Sequence, residues 1–281
     1  MKLGLTLGAD TMDGLIAQAR VAEAAGIEIG WLESENGEDT ALLRAAAAAA
    51  GTRVIRLAAS VPTGGHPLAI AESAAVADNC SNGRLILVIE DAVGDADLLA
   101  ETVDIVLSAV APRPFRHEGR RWRIPANLPE NDQQEERIIV TPQVVQPELP
   151  VWLAGGSAAE SARARGLTHI SSSADGVAEA QRAWDETDAV LGLGSLRLRR
   201  PWRHDLETDD DGGFDADAIV DRLCAERLAW GMDVAVMRLP VSLTPDAWAG
   251  AARRIATAVR PRVLLHELPA GIEQHWKEVL A

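Results

Sequence analysis

Short apolar runs of the kind that form buried strands recur along this chain at 3–7, 27–32, 54–59, 85–89, 151–154, 167–170, 193–198 and 234–239. Between most of them lie stretches with helical period, at 12–25, 39–50, 68–80, 97–109, 158–165, 176–190 and 216–230, and a last one at 245–259 follows the final strand. Strands that are apolar throughout need cover on both faces, and parallel strands joined by helices provide it. Eight such units in 281 residues predict an α/β chain folded as a (β/α)8 TIM barrel. An open doubly wound sheet is the competing arrangement, but no G-x-G-x-x-G pattern follows the first strand. The reading takes 1–281 as a single barrel domain.

Two intervals break the rhythm. Residues 111–149 carry Pro112, Pro114, Pro125, Pro129, Pro142 and Pro147 with a polar run at 130–137. That is too long for an ordinary connection. It reads as an inserted excursion after the fourth helix, with a hairpin turning around His117-Glu118-Gly119-Arg120. The stretch 199–214 holds the acidic loop Asp209-Asp210-Asp211-Gly212-Gly213. Residues 261–281 form a C-terminal extension with a strand-like run at 263–265 and a short helix bearing Trp276.

A formal net charge of −15 and a pI near 4.8 leave no overall basic footprint for nucleic acid. No run reaches the roughly 20 apolar residues that span a bilayer, and the first residues alternate like a strand rather than a secretion signal. A cytoplasmic protein with no membrane or nucleic-acid partner is the expectation. Cys80 and Cys224 are far apart and lack ligand spacing, so buried free thiols are expected. Tyrosine is absent, which removes one acid–base group from consideration.

In such a barrel, chemistry sits where strands end. This rule selects Gly8, Ala9 and Asp10; Glu33, Ser34, Glu35 and Asn36; Ser60, Val61, Thr63 and His66; Glu90 and Asp91; Gly155, Gly156 and Ser157; Ser171, Ser172, Ser173 and Asp175; and Trp202, Arg203 and His204. Some have structural readings. Asp10-Thr11 and Asp175 suit helix caps, and His66 precedes a proline suited to a first helical position. Glu33 and Glu35, like Glu90 and Asp91, read either as general bases or as solvated loop acids. His169 alternates with apolar neighbours and reads as a core histidine. Arg113, Arg116, Arg120, Arg121 and Arg123 either clamp an anionic cofactor tail or pair with the chain's own acids. Trp31 and Trp152 read as strand core, and Trp202 as a rim residue able to stack on a planar ring. Paired histidines of a metal hydrolase are missing.

Pro150-Val151-Trp152-Leu153-Ala154-Gly155-Gly156-Ser157 reads as a strand, a turn bare of side chains and a helix start. Such a turn brings backbone N–H groups to an anion such as phosphate. A second segment joins it. Ala77-Asp78-Asn79-Cys80-Ser81-Asn82-Gly83-Arg84 before the fourth strand, His66-Pro67 with Ala71-Glu72, and Ala22-Glu23-Ala24-Ala25-Gly26 before Trp31 together resemble the bacterial-luciferase-like family. The Gly155-Gly156-Ser157 turn and the proline-rich excursion are similar to that family too, and the resemblance covers about residues 1–180.

The resemblance implies a (β/α)8 barrel that binds FMN or the deazaflavin F420 at its C-terminal mouth and acts as an oxidoreductase or monooxygenase on a small-molecule substrate, often as a homodimer. It assigns the cofactor phosphate to Gly155, Gly156 and Ser157. It makes Ser60-Val61 the place of a non-proline cis peptide whose bulge backs the ring. Glu33, Glu35, His66 and Glu90 then stand on the substrate side as catalytic candidates. The sequence departs from the family pattern at Glu33-Ser34-Glu35-Asn36, where many members have a histidine. It departs again at Ile89-Glu90-Asp91, where many have Gly-x-Gly, and at Thr168-His169-Ile170. A barrel that has lost redox catalysis and serves as a binding or partner subunit is therefore the alternative.

Overall fold

The structure, a computed structural model, describes residues 1–34, 40–126, 136–155, 158–170, 201–230, 234–240 and 242–265. The elements run β1 (Lys2–Thr6), α1 (Met12–Ala24), β2 (Ile29–Leu32), α2 (Ala41–Ala50), β3 (Arg56–Pro62), α3 (Pro67–Ser81), β4 (Leu85–Glu90), α4 (Ala96–Val110), β5 (His117–Glu118), β6 (Arg123–Ile124), β7 (Val151–Ala154), α5 (Ala158–Ala164), β8 (Thr168–Ile170), β9 (Pro201–Asp205), α6 (Ala216–Trp230), β10 (Val234–Arg238) and α7 (Pro245–Arg254), then a π-helical segment (Ile255–Val259) and α8 (Arg260–Leu265). This is the α/β alternation of the (β/α)8 class. The chain forms two compact units, Leu32–His169 and Met1–Trp31 with Ile170–Ala281.

In the unit Leu32–His169 the strand order is β8-β7-β4-β3, with β3 parallel to β4 and β4 parallel to β7. Local chemistry sets the helices. Asp95 caps α4 through an oxygen that accepts from the Leu98 amide at 2.9 Å. His66 caps α3, with Pro67 behind it where the missing N–H costs nothing. The α3 helix ends at Asn82 in the left-handed region (φ 53°). The alanine-rich α2 buries Ala41, Ala45, Ala48 and Ala49, and small side chains let it lie close on α3 and β3.

The excursion forms a hairpin, β5 antiparallel to β6, but its turn lies at 119–122 and not around 117–120, because His117 and Glu118 are taken into β5. It seals onto α3 and α4 through a cluster of Ala71, Ile105, Ala109, Phe115, Ile124 and Val140. Polar anchoring comes from Glu101 of α4. Its Oε1 accepts from the Trp122 amide at 2.9 Å and the Arg121 amide at 3.1 Å, and lies 3.2 Å from His117 Nε2. A Cβ on Gly119 would fall on that carboxylate, so a larger residue there would displace the Glu101 and His117 side-chain ends.

In the unit formed by Met1–Trp31 and Ile170–Ala281, the order is β2-β1-β10-β9, all parallel. Thr11, rather than Asp10, caps α1, its Oγ1 accepting from the Gly14 amide at 3.1 Å. The amides of Gly8 and Ala9 donate to Gln18 Oε1. Glu28 accepts Arg260 through one oxygen at 2.9 Å and the Leu3 amide through the other at 3.1 Å.

Several expectations are corrected. The third strand runs Arg56–Pro62, two to three residues later than the apolar run at 54–59, because Val54 is 74% exposed and burial starts at Ile55. Trp202, Arg203 and His204 lie within β9, paired to β10, and not on a rim loop after a strand. The run at 263–265 is helical: α8 continues directly from the π segment, which lies just before Pro261, the residue that lacks an N–H for the regular ladder. Cys80 is exposed on α3 and only Cys224 is buried, where desolvation pushes its thiol up. The expected strand at 193–198, helix at 176–190 and helix around Trp276 lie outside the described residues. Among those described, no helix is long and apolar enough to cross a membrane.

Candidate functional site

Strand register brings the site residues together. Paired residues on parallel neighbours point to the same face, and alternate residues point to opposite faces. Ser60 pairs with Val88 and Val88 with Trp152, which makes one row across β3, β4 and β7. Pro62, Glu90 and Ala154 make the next row, at the C-terminal strand ends. On the opposite face Leu57, Ala59, Val61, Leu85, Leu87, Ile89 and Leu153 are all fully buried. The first face is closed at Ala58, Ile86 and Val88 but opens toward the strand ends, where Pro62, Glu90 and Trp152 are half-buried.

A polar pair occupies that opening. Ser60, itself 1% exposed, donates its hydroxyl to Glu90 Oε2 at 2.8 Å. The Ser60 carbonyl accepts from Ser34 Oγ at 2.7 Å, which ties the residue after β2 to β3. Glu90 has no ion pair and no other side-chain hydrogen bond among the described residues. Its carbonyl accepts from the Thr63 amide at 2.8 Å, so the β3 exit is fixed to the β4 end.

Beside this pair lies the turn after β7. Gly155 has φ +107°, and a Cβ there would come within 3.1 Å of Asp91 Cβ and 3.2 Å of its carbonyl oxygen. Glycine is required because the turn lies flat on the loop after β4. The Asp91 amide donates to the Ala154 carbonyl at 2.9 Å, and Asp91 Oδ1 takes the amides of Gly94 and Asp95. The Gly155 carbonyl accepts from the Ala158 amide and faces His169 Nε2, both at 3.3 Å. His169 is thus a buried histidine that steadies the turn.

The sequence-derived candidates separate on this geometry. Ser60, Glu90 and Gly155 converge at adjacent strand ends. Val61 does not join them: it is fully buried on the opposite face. The anticipated bulge is not formed. Ser60 and Val61 hold unbroken register with Val88 and Ile89, and among the described residues the cis peptide bonds are Ile124–Pro125 and Thr141–Pro142. Regular ladder bonds on β3 account for this.

His66 is committed to its helix. Nδ1 accepts from the Leu68 amide at 3.2 Å, and the ring meets Trp122 edge-on at 4.6 Å. Trp122 Nε1 is buried with no hydrogen-bond partner among the described residues. Glu33 is half-buried at the end of β2. Glu35, Gly156 and Ser157, with Ser171, Ser172, Ser173 and Asp175, lie outside the described residues. Four of the five arginines singled out in the excursion pair with acids: Arg120 with Asp97, Arg121 with Asp95, and Arg116 and Arg123 with Glu118.

Sequence reasoning misses one member and leaves another without a role: the strand-end rule selects Ser34 but assigns it no function, and Trp152 reads in the sequence as core. The two-residue alternation of β7 against β4 holds the signal that would have put Trp152 on the Glu90 face.

The motif that carried the family resemblance lies at the other end of β4. Asp78, fully buried, accepts from the Val145 amide at 2.7 Å, the Gln146 amide at 3.1 Å and Gln146 Nε2 at 2.8 Å. Arg84, just before β4, donates to Ser81 O, Thr52 Oγ1, Ile55 O, Ala49 O and Thr52 O. These residues hold the fold and are remote from the strand-end pair.

Comparison with known proteins gives the same family. The model described as luciferase-like monooxygenase matches residues 2–190. No curated protein sequence matches the chain. Among solved structures, a monooxygenase from Streptomyces bottropensis is 17% identical with a TM-score of 0.69, over 93% of this chain and 99% of that one. The oxygenating constituent of 3,6-diketocamphane monooxygenase from Pseudomonas putida, solved with FMN, is 18% identical with a TM-score of 0.68, over 94% and 98%. The coenzyme F420-dependent tetrahydromethanopterin reductase from Methanopyrus kandleri is 14% identical with a TM-score of 0.72, over 93% and 99%. At such identities the likeness establishes a shared fold. The family match extends over more than half of the chain, and the chain belongs to the luciferase-like monooxygenase family.

Proposed function

We propose that this protein is an oxidoreductase of the luciferase-like class that uses FMN or F420 and acts on a small organic substrate. The observation that carries the reading is the meeting of the Ser60–Glu90 pair and the Gly155 turn at the C-terminal ends of β3, β4 and β7. In a fold of this class reactive groups gather at that end. The solved relatives with FMN or F420 in their names support the cofactor class.

The described residues fit such a group at the turn. Gly155 is bare of side chain, adopts φ +107° and packs closely against Asp91, so no Cβ stands in the turn. Gly155, with Gly156 and Ser157 after it, would hold the phosphate through backbone N–H groups. The cofactor, when bound, supplies the redox chemistry. The chain's share is to orient and to exclude water: Ser60 fixes the Glu90 carboxylate, and Thr63 fixes the strand exit beside it. Glu90 stands on the substrate side as an acceptor for a substrate N–H, O–H or proton; Glu33, Glu35 and His66 rank behind it.

A second reading, a binding or partner subunit without redox catalysis, is favoured by one observation. A carboxylate stands at the end of β4 and β3 runs unbroken through Ser60-Val61, so no bulge backs a ring there.

Titration of the purified protein with FMN and, separately, with F420, followed by fluorescence, decides between the two. Saturable binding of one supports the oxidoreductase and names its cofactor. Absence of binding by both, in protein folded by circular dichroism, overturns it in favour of the second reading.

A further inference from the structure

We propose that the strand-end site recognises an organic cation, a protonated amine on a small substrate, with Glu90 as its counter-charge and Trp152 as the aromatic surface beside it. The inference deepens the proposed function by naming the substrate class of the same site, and it rests on that reading only for the site's being a substrate site.

The argument begins with what Glu90 lacks. A half-buried carboxylate is ordinarily paired, because partial desolvation of the charge must be offset. The acids that face the excursion's arginines are paired: Asp95 and Asp97 with one each, and Glu118 with two. Glu90 sits deeper and has none among the described residues. It has a single serine hydroxyl on Oε2. That bond fixes the carboxylate's orientation and leaves Oε1 to an incoming donor. Ser60 is in turn fixed, buried in β3 with its carbonyl held by Ser34. The carboxylate is thus preorganised, which limits the ordering cost of binding.

The second observation is Trp152. Register puts it one row below Glu90 on the adjacent strand, on the same face, and it is half-buried where Val88 beside it is fully buried. A carboxylate with an indole as diagonal neighbour is the side-chain chemistry that binds alkylammonium groups, by ion pairing and by cation–π attraction. The surrounding charge agrees. Glu33 and Asp91 flank the same strand ends, and the net charge of −15 raises the local concentration of cations and repels anionic competitors.

The probe is benzylammonium chloride, with benzyl alcohol as its neutral counterpart, titrated calorimetrically into the purified protein and into Glu90→Gln. Glutamine keeps the shape and can still accept from Ser60, so folding is preserved. The expected result is saturable benzylammonium binding at least about tenfold tighter than benzyl alcohol, with the preference lost in E90Q. Trp152→Leu weakens benzylammonium at unchanged benzyl alcohol affinity. Absence of saturable benzylammonium binding, equal binding of the two probes, or a preference that survives in E90Q overturns the proposal. The FMN and F420 titrations run on the same samples keep the failures apart. Cofactor binding without cation preference removes this inference alone. Cation preference without cofactor binding removes the redox reading and leaves the inference standing.

Discussion

Ser60 Oγ donates to Glu90 Oε2 at 2.8 Å, and this bond crosses from β3 to β4 at the end where the family's chemistry is expected. Ser60→Ala removes the donor and leaves the carboxylate without a side-chain partner. A hydrogen bond to a charged group contributes about 1.5–3 kcal/mol, and the half-exposed carboxylate recovers part of that from water, so a loss of about 1 kcal/mol is expected. Urea denaturation of wild type and S60A measures it. A change within experimental error would mean that the pair contributes no net stability.

Gly155→Ala tests the turn. The residue adopts φ +107°, and the added Cβ would meet Asp91 at 3.1 Å, so both backbone strain and crowding oppose it. Strain of this kind costs about 1–3 kcal/mol. Thermal unfolding reads that cost, and the FMN and F420 titrations read the effect on the turn. Destabilisation with a weakened cofactor is the expected pair of results. Unaltered affinity in the folded variant would remove the phosphate assignment from this turn.

Much of this was legible in the sequence for a physical reason. Strand–helix alternation is written in hydrophobic period, so β4 and α6 lie nearly where that period puts them, while the hairpin turn, which carries no such period, lies two residues beyond its expected place. The end of β3 was misplaced because Ala58-Ala59-Ser60 is a weak strand signal, and its burial depends on neighbours far away in sequence. The same dependence hid the facing of Val61 away from Ser60 and the placing of Trp152 on the Glu90 face, which only cross-strand register decides. The reading of Pro67 as a first helical position is local and needs no partner, and the structure has it, with the added finding that the His66 ring caps the helix.

Asp78 and Arg84 are predicted to matter for stability and not for the site. Asp78→Ala leaves the amides of Val145 and Gln146 without their acceptor inside the protein, and leaves the Gln146 side chain only the Leu85 carbonyl to donate to. The expected cost is about 2–4 kcal/mol. Arg84→Lys cannot reproduce a planar fork that serves five acceptors, and about 2 kcal/mol is expected. Chemical denaturation measures both. Cofactor titration of the folded fraction should match wild type, and an altered affinity would argue that the N-terminal end of β4 is coupled to the strand-end site.

Glu101 gives the pH dependence a definite sign. Burial raises its carboxyl value, but the Trp122 amide, the His117 ring and the Arg121 amide together outweigh burial and hold it below the ordinary 4.5. The folded value is lower than the unfolded one, so the stabilisation is fully present above 4.5 and is lost as pH falls through the folded value. Glu101→Gln removes the charge and one acceptor, so its cost should be about 1–3 kcal/mol at neutral pH. That difference from wild type should shrink on acidification below 4.5, because the wild-type carboxyl is then neutral as well. Denaturation midpoints of both proteins from neutral pH down into the acid range check this. A difference that stays constant across the range would show that the cost of the substitution does not come from the carboxylate's charge.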